Sequence, residues 1–279
     1  MMQPLTPIDT TPLLRPLLEE LIALLRGLAP GEWLRPTVAG RWRVRDVAAH
    51  LLDNDLRRLA AGRDGQPLVP DRPITSARDL GRFVNALNAE GVSWAARLSP
   101  RLLLELLETS GAWLIDLLSA VPLEAPALWP VSWAGEAQSA HWMDAGREYT
   151  ERWHHQAQIR DAVGAPLLLA PRWMAPLLDI SIRVLPYAYA GVDAPEGTAV
   201  TIDVHGETTA NWTLERRGTA WHLQAGRPDQ PDVLVSATTD AIWRLLYNAL
   251  PDPVADPRIV VSGPEALVRP LLDARSVVL

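Results

Sequence analysis

Cysteine is absent from all 279 residues. That removes disulfides, thiolate metal ligands and any thiol nucleophile of the chain's own, so thiol chemistry here must use a thiol brought in as a small molecule. Runs rich in basic residues are missing too. With 26 basic against 33 acidic side chains the net charge is -7, and no stretch is built to follow a phosphate backbone. Nucleic acid is therefore not expected as a partner. No uninterrupted apolar run reaches the roughly 18 to 20 residues of a membrane span, and Met1 to Thr11 lack the basic segment and apolar core of a targeting peptide. The expectation is a cytoplasmic chain with no membrane partner and a small-molecule substrate.

Hydrophobic residues make up 48% of the chain, enough for a core in one large or two ordinary domains. Pro12 sits at a first helical turn, and Leu13, Leu14, Leu17, Leu18, Leu21, Leu24 and Leu25 recur with helical spacing until Gly27 and Pro30. A second helix is predicted from about Val44 to Ala61, closed by Gly62. A Pro/Gly-rich connection follows to Thr75, then a helix from near Ser76. On it Arg82, Asn85 and Asn88 repeat every third residue, either lining a pocket or simply solvated. Ser99-Pro100 reads as the cap and first turn of a helix to about Ala120, with Leu102, Leu103, Leu106, Leu107, Trp113, Leu114, Leu117 and Leu118 as its buried stripe. Residues 121 to 139 read as loop. Helix resumes through Arg147 to Asp161 and again over Pro171 to Leu185. Around Gly191 the period changes to two. Ala199 to Val204, Thr209 to Leu214, Thr219 to Leu223 and Val233 to Ser236 read as strands of an antiparallel sheet. Thr239 to Leu250 and Pro264 to Leu272 read as helices on one side of it, and Val277-Val278-Leu279 as a closing segment. The predicted domains are a helical bundle over 1–190 and a small α+β domain over 191–279, the second packed near the first's site.

The chemistry concentrates in the helix from Arg147 to Asp161. At about 100° per residue, Glu151 and His155 lie one turn apart on one face, so a carboxylate oxygen and an imidazole nitrogen can converge on one ion. Two ligands make only a half-site; a catalytic metal needs three and an open position. The candidate third is His50, on the helix face that also carries Val47, Leu51 and Asn54. Taken alone, His50 reads first as a buried, hydrogen-bonded histidine, and the pairing with the later helix turns it into a candidate ligand. Glu148, one turn before Glu151, is an alternative carboxylate. His154 diverges by about 100° from His155, which suits a supporting or surface role. His141, His205 and His222 lie outside the constellation, and the 12 tryptophans are read as core and loop anchors.

The run Trp42-Arg43-Val44-Arg45-Asp46-Val47-Ala48-Ala49-His50-Leu51, with Arg147-Glu148-Tyr149-Thr150-Glu151 and Trp153-His154-His155-Gln156, resembles the DinB-like bundle of mycothiol-dependent maleylpyruvate isomerases. The C-terminal part, including Val261-Ser262-Gly263-Pro264-Glu265-Ala266-Leu267, is similar to the sterol-carrier-like domain that follows the bundle in that family. The resemblance implies two domains, an all-α DinB-like four-helix bundle and a small α+β sterol-carrier-like domain. It implies a metal held by His50, Glu151 and His155, with zinc expected and nickel or iron accepted by the same ligand set. It further implies mycothiol or another low-molecular-weight thiol as co-reactant, and a C-terminal catalytic arginine for which Arg216, Arg217, Arg227 and Arg244 all qualify. One position departs from the family pattern: Gln158 stands where members often carry an aspartate. The function expected is a metal-dependent isomerase or transferase that activates a thiol for addition to an electrophile, with metal-activated water as a close variant. The reading from a different class is a carrier of an apolar ligand whose metal site is structural or vestigial.

Overall fold

The computed structural model describes residues 2–278. They fall into two compact units. The helical unit spans Asp9–Pro130 and Gln138–Leu167. It contains α1 (Thr11–Arg26), α2 (Val44–Gly62), α3 (Ala77–Ala95), α4 (Pro100–Ala120) and α5 (His141–Val163). Helix α1 buries Leu14, Leu17, Leu18, Leu21, Ile22 and Leu25 on one side, each contributing roughly 1.5–3 kcal/mol of hydrophobic stabilisation. Helices α3 and α4 are each started by a serine, Ser76 and Ser99, whose hydroxyl accepts from the amide three residues on. Helix α2 packs on α3, α4 and α5, and α1 packs on α4 and α5.

The inward face of α4 differs from the expected leucine stripe. Leu103, Leu104, Leu107, Ser110, Gly111, Leu114, Ile115 and Leu118 are buried, whereas Leu102, Leu106 and Trp113 are exposed. The cause is polar and steric. Ser110 donates to the buried carboxylate of Asp55 (2.8 Å), and a Cβ at Gly111 would lie 2.9 Å from the Leu18 side chain. The helix turns its small and hydroxyl-bearing residues inward because charge and close approach lie there.

The second unit holds Leu168–Val277, Val131–Ala137 and the described residues up to Ile8. It contains α6 (Pro171–Ser181) and α7 (Leu185–Ala188), joined by a short 3-10 turn. By compactness these two go with the sheet rather than with the helices that precede them. The sheet is formed by β1 (Gln3–Pro4), β2 (Ala199–His205), β3 (Ala210–Arg217), β4 (Ala220–Ala225), β5 (Val233–Thr238) and β6 (Ile259–Ser262), in the order β1-β4-β3-β2-β5-β6. It is mixed, not antiparallel throughout: β2 and β5 run parallel, with Val200 opposite Val233 and Ile202 opposite Val235. After β4 the chain crosses back over 226–232, which sets β5 beside β2 in the same direction. Helix α8 (Thr239–Leu246), capped by the Thr238 hydroxyl, packs on β2 and β5, and α9 (Glu265–Asp273) packs on β5. Val277 and Val278 form no strand, and Leu279 lies outside the described residues. No helix among the described residues is long and apolar enough to cross a membrane.

Candidate metal centre

Two helices of the helical unit build the site, and the chain fixes how each enters it. Before α2, Thr37 and Trp42 are joined by the Thr37 amide and hydroxyl donating to the Trp42 carbonyl (3.0 and 2.8 Å). The Asp46 carboxylate then accepts from the Arg43 amide (2.9 Å), which starts the helix. These bonds hold Trp42 beside the site, its ring 5.0 Å from that of His50 and 6.3 Å from that of His155. On α5 most side chains are buried although the helix is largely polar.

His50, Glu151 and His155 converge. Oε1 of Glu151 lies 3.0 Å from Nε2 of His50 and 3.2 Å from Nε2 of His155, and one ligand atom from each residue falls within 4.8 Å of the others. The imidazoles are buried, with ring centroids 4.6 Å apart, while the Glu151 side chain keeps 24% of its surface exposed. Of the three side chains it is the most exposed. Burial alone would raise the Glu151 carboxyl, but the charge of His155 and hydrogen bonds from both imidazoles outweigh it and hold the group well below the usual range. Burial lowers His50.

The donor atoms show whether a cation fits. Nδ1–H of His155 donates to Oε1 of Gln158 (2.8 Å), and Nε2 of the same ring faces Oε1 of Glu151. His50 differs: its Nδ1 is buried with no hydrogen-bond partner among the described residues, and its Nε2 donates to Glu151. Two imidazole nitrogens and one carboxylate oxygen are donors of the kind a divalent transition metal takes, so the residues present fit such an ion.

Next to this group α2 and α5 share a buried ionic cluster. Arg58 makes a two-pronged contact with Asp144 (3.2 and 2.8 Å), and Arg147 adds a bond to the same carboxylate (2.5 Å). Glu148 accepts from Arg152 (2.9 Å) and from Asn54 (3.3 and 3.2 Å) and lies 3.5 Å from Arg58, so it is committed away from the ligand group. Arg152 also pairs with Asp55, which accepts from Ser110. Burial pushes the Asp55 carboxyl up to about 6 despite the charge of Arg152. Asn54 follows His50 by one turn and Glu148 precedes Arg152 by one turn, so this cluster holds the α2–α5 register that brings the ligands together.

The other candidate residues lie elsewhere. His154 is buried, its ring 4.0 Å from that of His155, with Nδ1–H donating to the Thr150 carbonyl; burial lowers it to about 3. His141 bonds the Leu118 carbonyl (2.8 Å) and His205 the Ser236 hydroxyl (3.3 Å). Asn85 is exposed, and Asn88 accepts from Arg57 (2.8 Å). In the sheet unit Arg216 faces Asp193 (3.6 Å), Arg217 pairs with Glu215, Arg227 with Asp203 and Arg244 with Asp240. Sequence reasoning missed the ionic cluster, although Asp144, Glu148, Arg152 and Gln156 recur every fourth residue along one side of α5, which is its signal.

Residues 14–160 match the family model described as "Mycothiol maleylpyruvate isomerase N-terminal domain". No curated protein matches by sequence. Among solved structures, the chain is similar to the crystal structure of the mycothiol-dependent maleylpyruvate isomerase, with 16% identity, a TM-score of 0.55, and coverage of 90% of this chain and 91% of that one. A histidine-to-alanine mutant of that enzyme matches with 15% identity, the same TM-score and the same coverage. At these identities the likeness is one of fold.

Proposed function

Because the chain belongs to the mycothiol maleylpyruvate isomerase N-terminal domain family, we propose that it is a metal-dependent enzyme that activates a small-molecule thiol for isomerase or transferase chemistry on a small electrophile. In this reading the helical unit is a DinB-like bundle carrying the site, and the sheet unit is the sterol-carrier-like domain. His50, Glu151 and His155 hold a divalent cation, with zinc the best match to two imidazoles and a carboxylate. The observation that carries the reading is the single Glu151 oxygen set between two imidazole nitrogens.

When bound, the metal supplies positive charge that favours the thiolate of a thiol at its open position. The chain's own residues do the rest. Glu151 is the most exposed of the three side chains, and in this reading a thiol approaches the centre from its side. The Trp42 ring lies beside both imidazoles and adds an apolar surface next to them. The thiol comes from outside because the chain has none.

The test is elemental analysis of untagged protein purified without added metal, followed by cobalt substitution and addition of mycothiol. The expected result is close to one metal per chain and new charge-transfer absorption on adding the thiol. Metal-free protein that also fails to take up cobalt would overturn the metal assignment. Metal uptake with no spectral change for any cellular thiol would remove the thiol step and leave metal-activated water.

A further inference from the structure

We propose that Gln158 is a positioning residue that sets His155, and not His50, as the preorganised imidazole of the centre, and does so without adding charge. The inference rests on the metal reading above. Its basis is an asymmetry between two histidines that otherwise look equivalent. His155 has a defined partner at each ring nitrogen: Gln158 Oε1 at Nδ1 (2.8 Å) and Glu151 Oε1 at Nε2 (3.2 Å). His50 has Glu151 at Nε2 (3.0 Å), and its buried Nδ1 has no partner among the described residues.

An acceptor at Nδ1 fixes the Nδ1–H tautomer, turns the ring about its bond to Cβ and leaves the Nε2 lone pair aimed at the ion. Gln158 is suited to this because it is buried itself and lies one turn beyond His155 on α5, so the helix holds both ends of the bond. A carboxylate in its place would do the same work and add a negative charge. With an amide, Glu151 is the only negative ligand, and a divalent ion keeps a net positive charge toward whatever takes its open position. His50 has no such support, and it must give up its proton from Nε2 and carry one on an unpartnered Nδ1 in order to ligate.

The experiment compares the wild type with Gln158→Met and Gln158→Glu, using metal affinity by chelator competition and the 15N signals of the histidine rings in metal-free protein. The wild type is expected to show the rings of both His154 and His155 in the Nδ1–H form, and in His155→Ala one of these two signals disappears while that of His154 stays. Gln158→Met removes the acceptor at nearly constant volume and is expected to weaken zinc binding about 10–100-fold while the melting transition is kept. Gln158→Glu keeps the acceptor and is expected to bind zinc at least as tightly as the wild type. Wild-type affinity in a folded Gln158→Met protein would overturn the proposal, and so would a Gln158→Glu variant as weak as Gln158→Met. If Gln158→Met fails to fold, Gln158→Glu and the wild-type ring signals still decide. A wild type that binds no metal at all refutes the functional reading instead, while a wild type that binds metal with His155 in the Nε2–H form refutes only the role of Gln158.

Discussion

Replacing Arg152 by Met tests the ionic cluster beside the centre. The methionine fills most of the volume but leaves two carboxylates, Asp55 and Glu148, with no exposed side-chain surface and without their shared cation. Removing one partner of a buried pair costs about 3–5 kcal/mol, against a total stability of about 5–15 kcal/mol. At about 2–4 °C per kcal/mol for a unit of this size, the melting temperature at pH 7.5 should fall by about 6–20 °C. The pH dependence carries a sign. Burial already holds the Asp55 carboxyl at about 6 in the folded protein, above its ordinary 3.8, so the native state binds more protons than the unfolded state in between. Stability therefore decreases as pH rises through that window, and without Arg152 the window extends upward. The gap between wild type and variant should widen from pH 5 to pH 8 in thermal or urea unfolding followed by circular dichroism. Adding Asp55→Leu to Arg152→Met should recover more than half of the loss. A variant within about 2 °C of wild type at pH 7.5, or a loss equal at pH 5 and pH 8, would refute the account.

His155→Ala should abolish metal retention, whereas His154→Ala should keep most of it, because the His154 Nδ1–H is committed to the Thr150 carbonyl; elemental analysis after gel filtration decides. Gly91→Ala should destabilise by about 1–3 kcal/mol in chemical denaturation, since a Cβ there would overlap the Asp53 carboxylate that pairs with Arg57. Chelation of the metal should lower the melting temperature and re-addition should restore it, with a stabilisation of about 2.7 kcal/mol at free metal one hundred times its dissociation constant. An unchanged melting curve over that titration would count against a bound ion.

The helical unit was largely legible because its signals are local. Thr10 to Pro12, Ser99-Pro100 and the Gly-rich breaks mark helix ends through their own backbone chemistry, and α4 begins where Ser99-Pro100 places it. The spacing of Glu151 and His155 is likewise a property of one helix, and their convergence needs only that α5 be continuous. The parallel pairing of β2 with β5 was not legible, since a period of two is the same for either direction and the crossover over 226–232 decides it. Strand β1, two residues long, and β6, met only as part of a family motif, carry too little alternation to stand out.

The buried charges show a deeper reason for what was missed. Reading apolar periodicity assumes that the inward face is the apolar one, and on α4 that assumption points the stripe at Leu102, Leu106 and Trp113, which face outward. The inward direction is set by Asp55, Arg152 and Glu148, which belong to other helices and find their partners only once the bundle is formed. Burying an ion is unfavourable unless its partners arrive together, so such a cluster is compatible with few relative placements of α2, α4 and α5. A stripe of leucines tolerates a slide of one turn, whereas the two-pronged contact of Arg58 with Asp144 and the link from Asn54 to Glu148 do not. Since His50 and Glu151 sit within one turn of that link, the least hydrophobic part of the core is the part that sets the distance between the two helices' ligands.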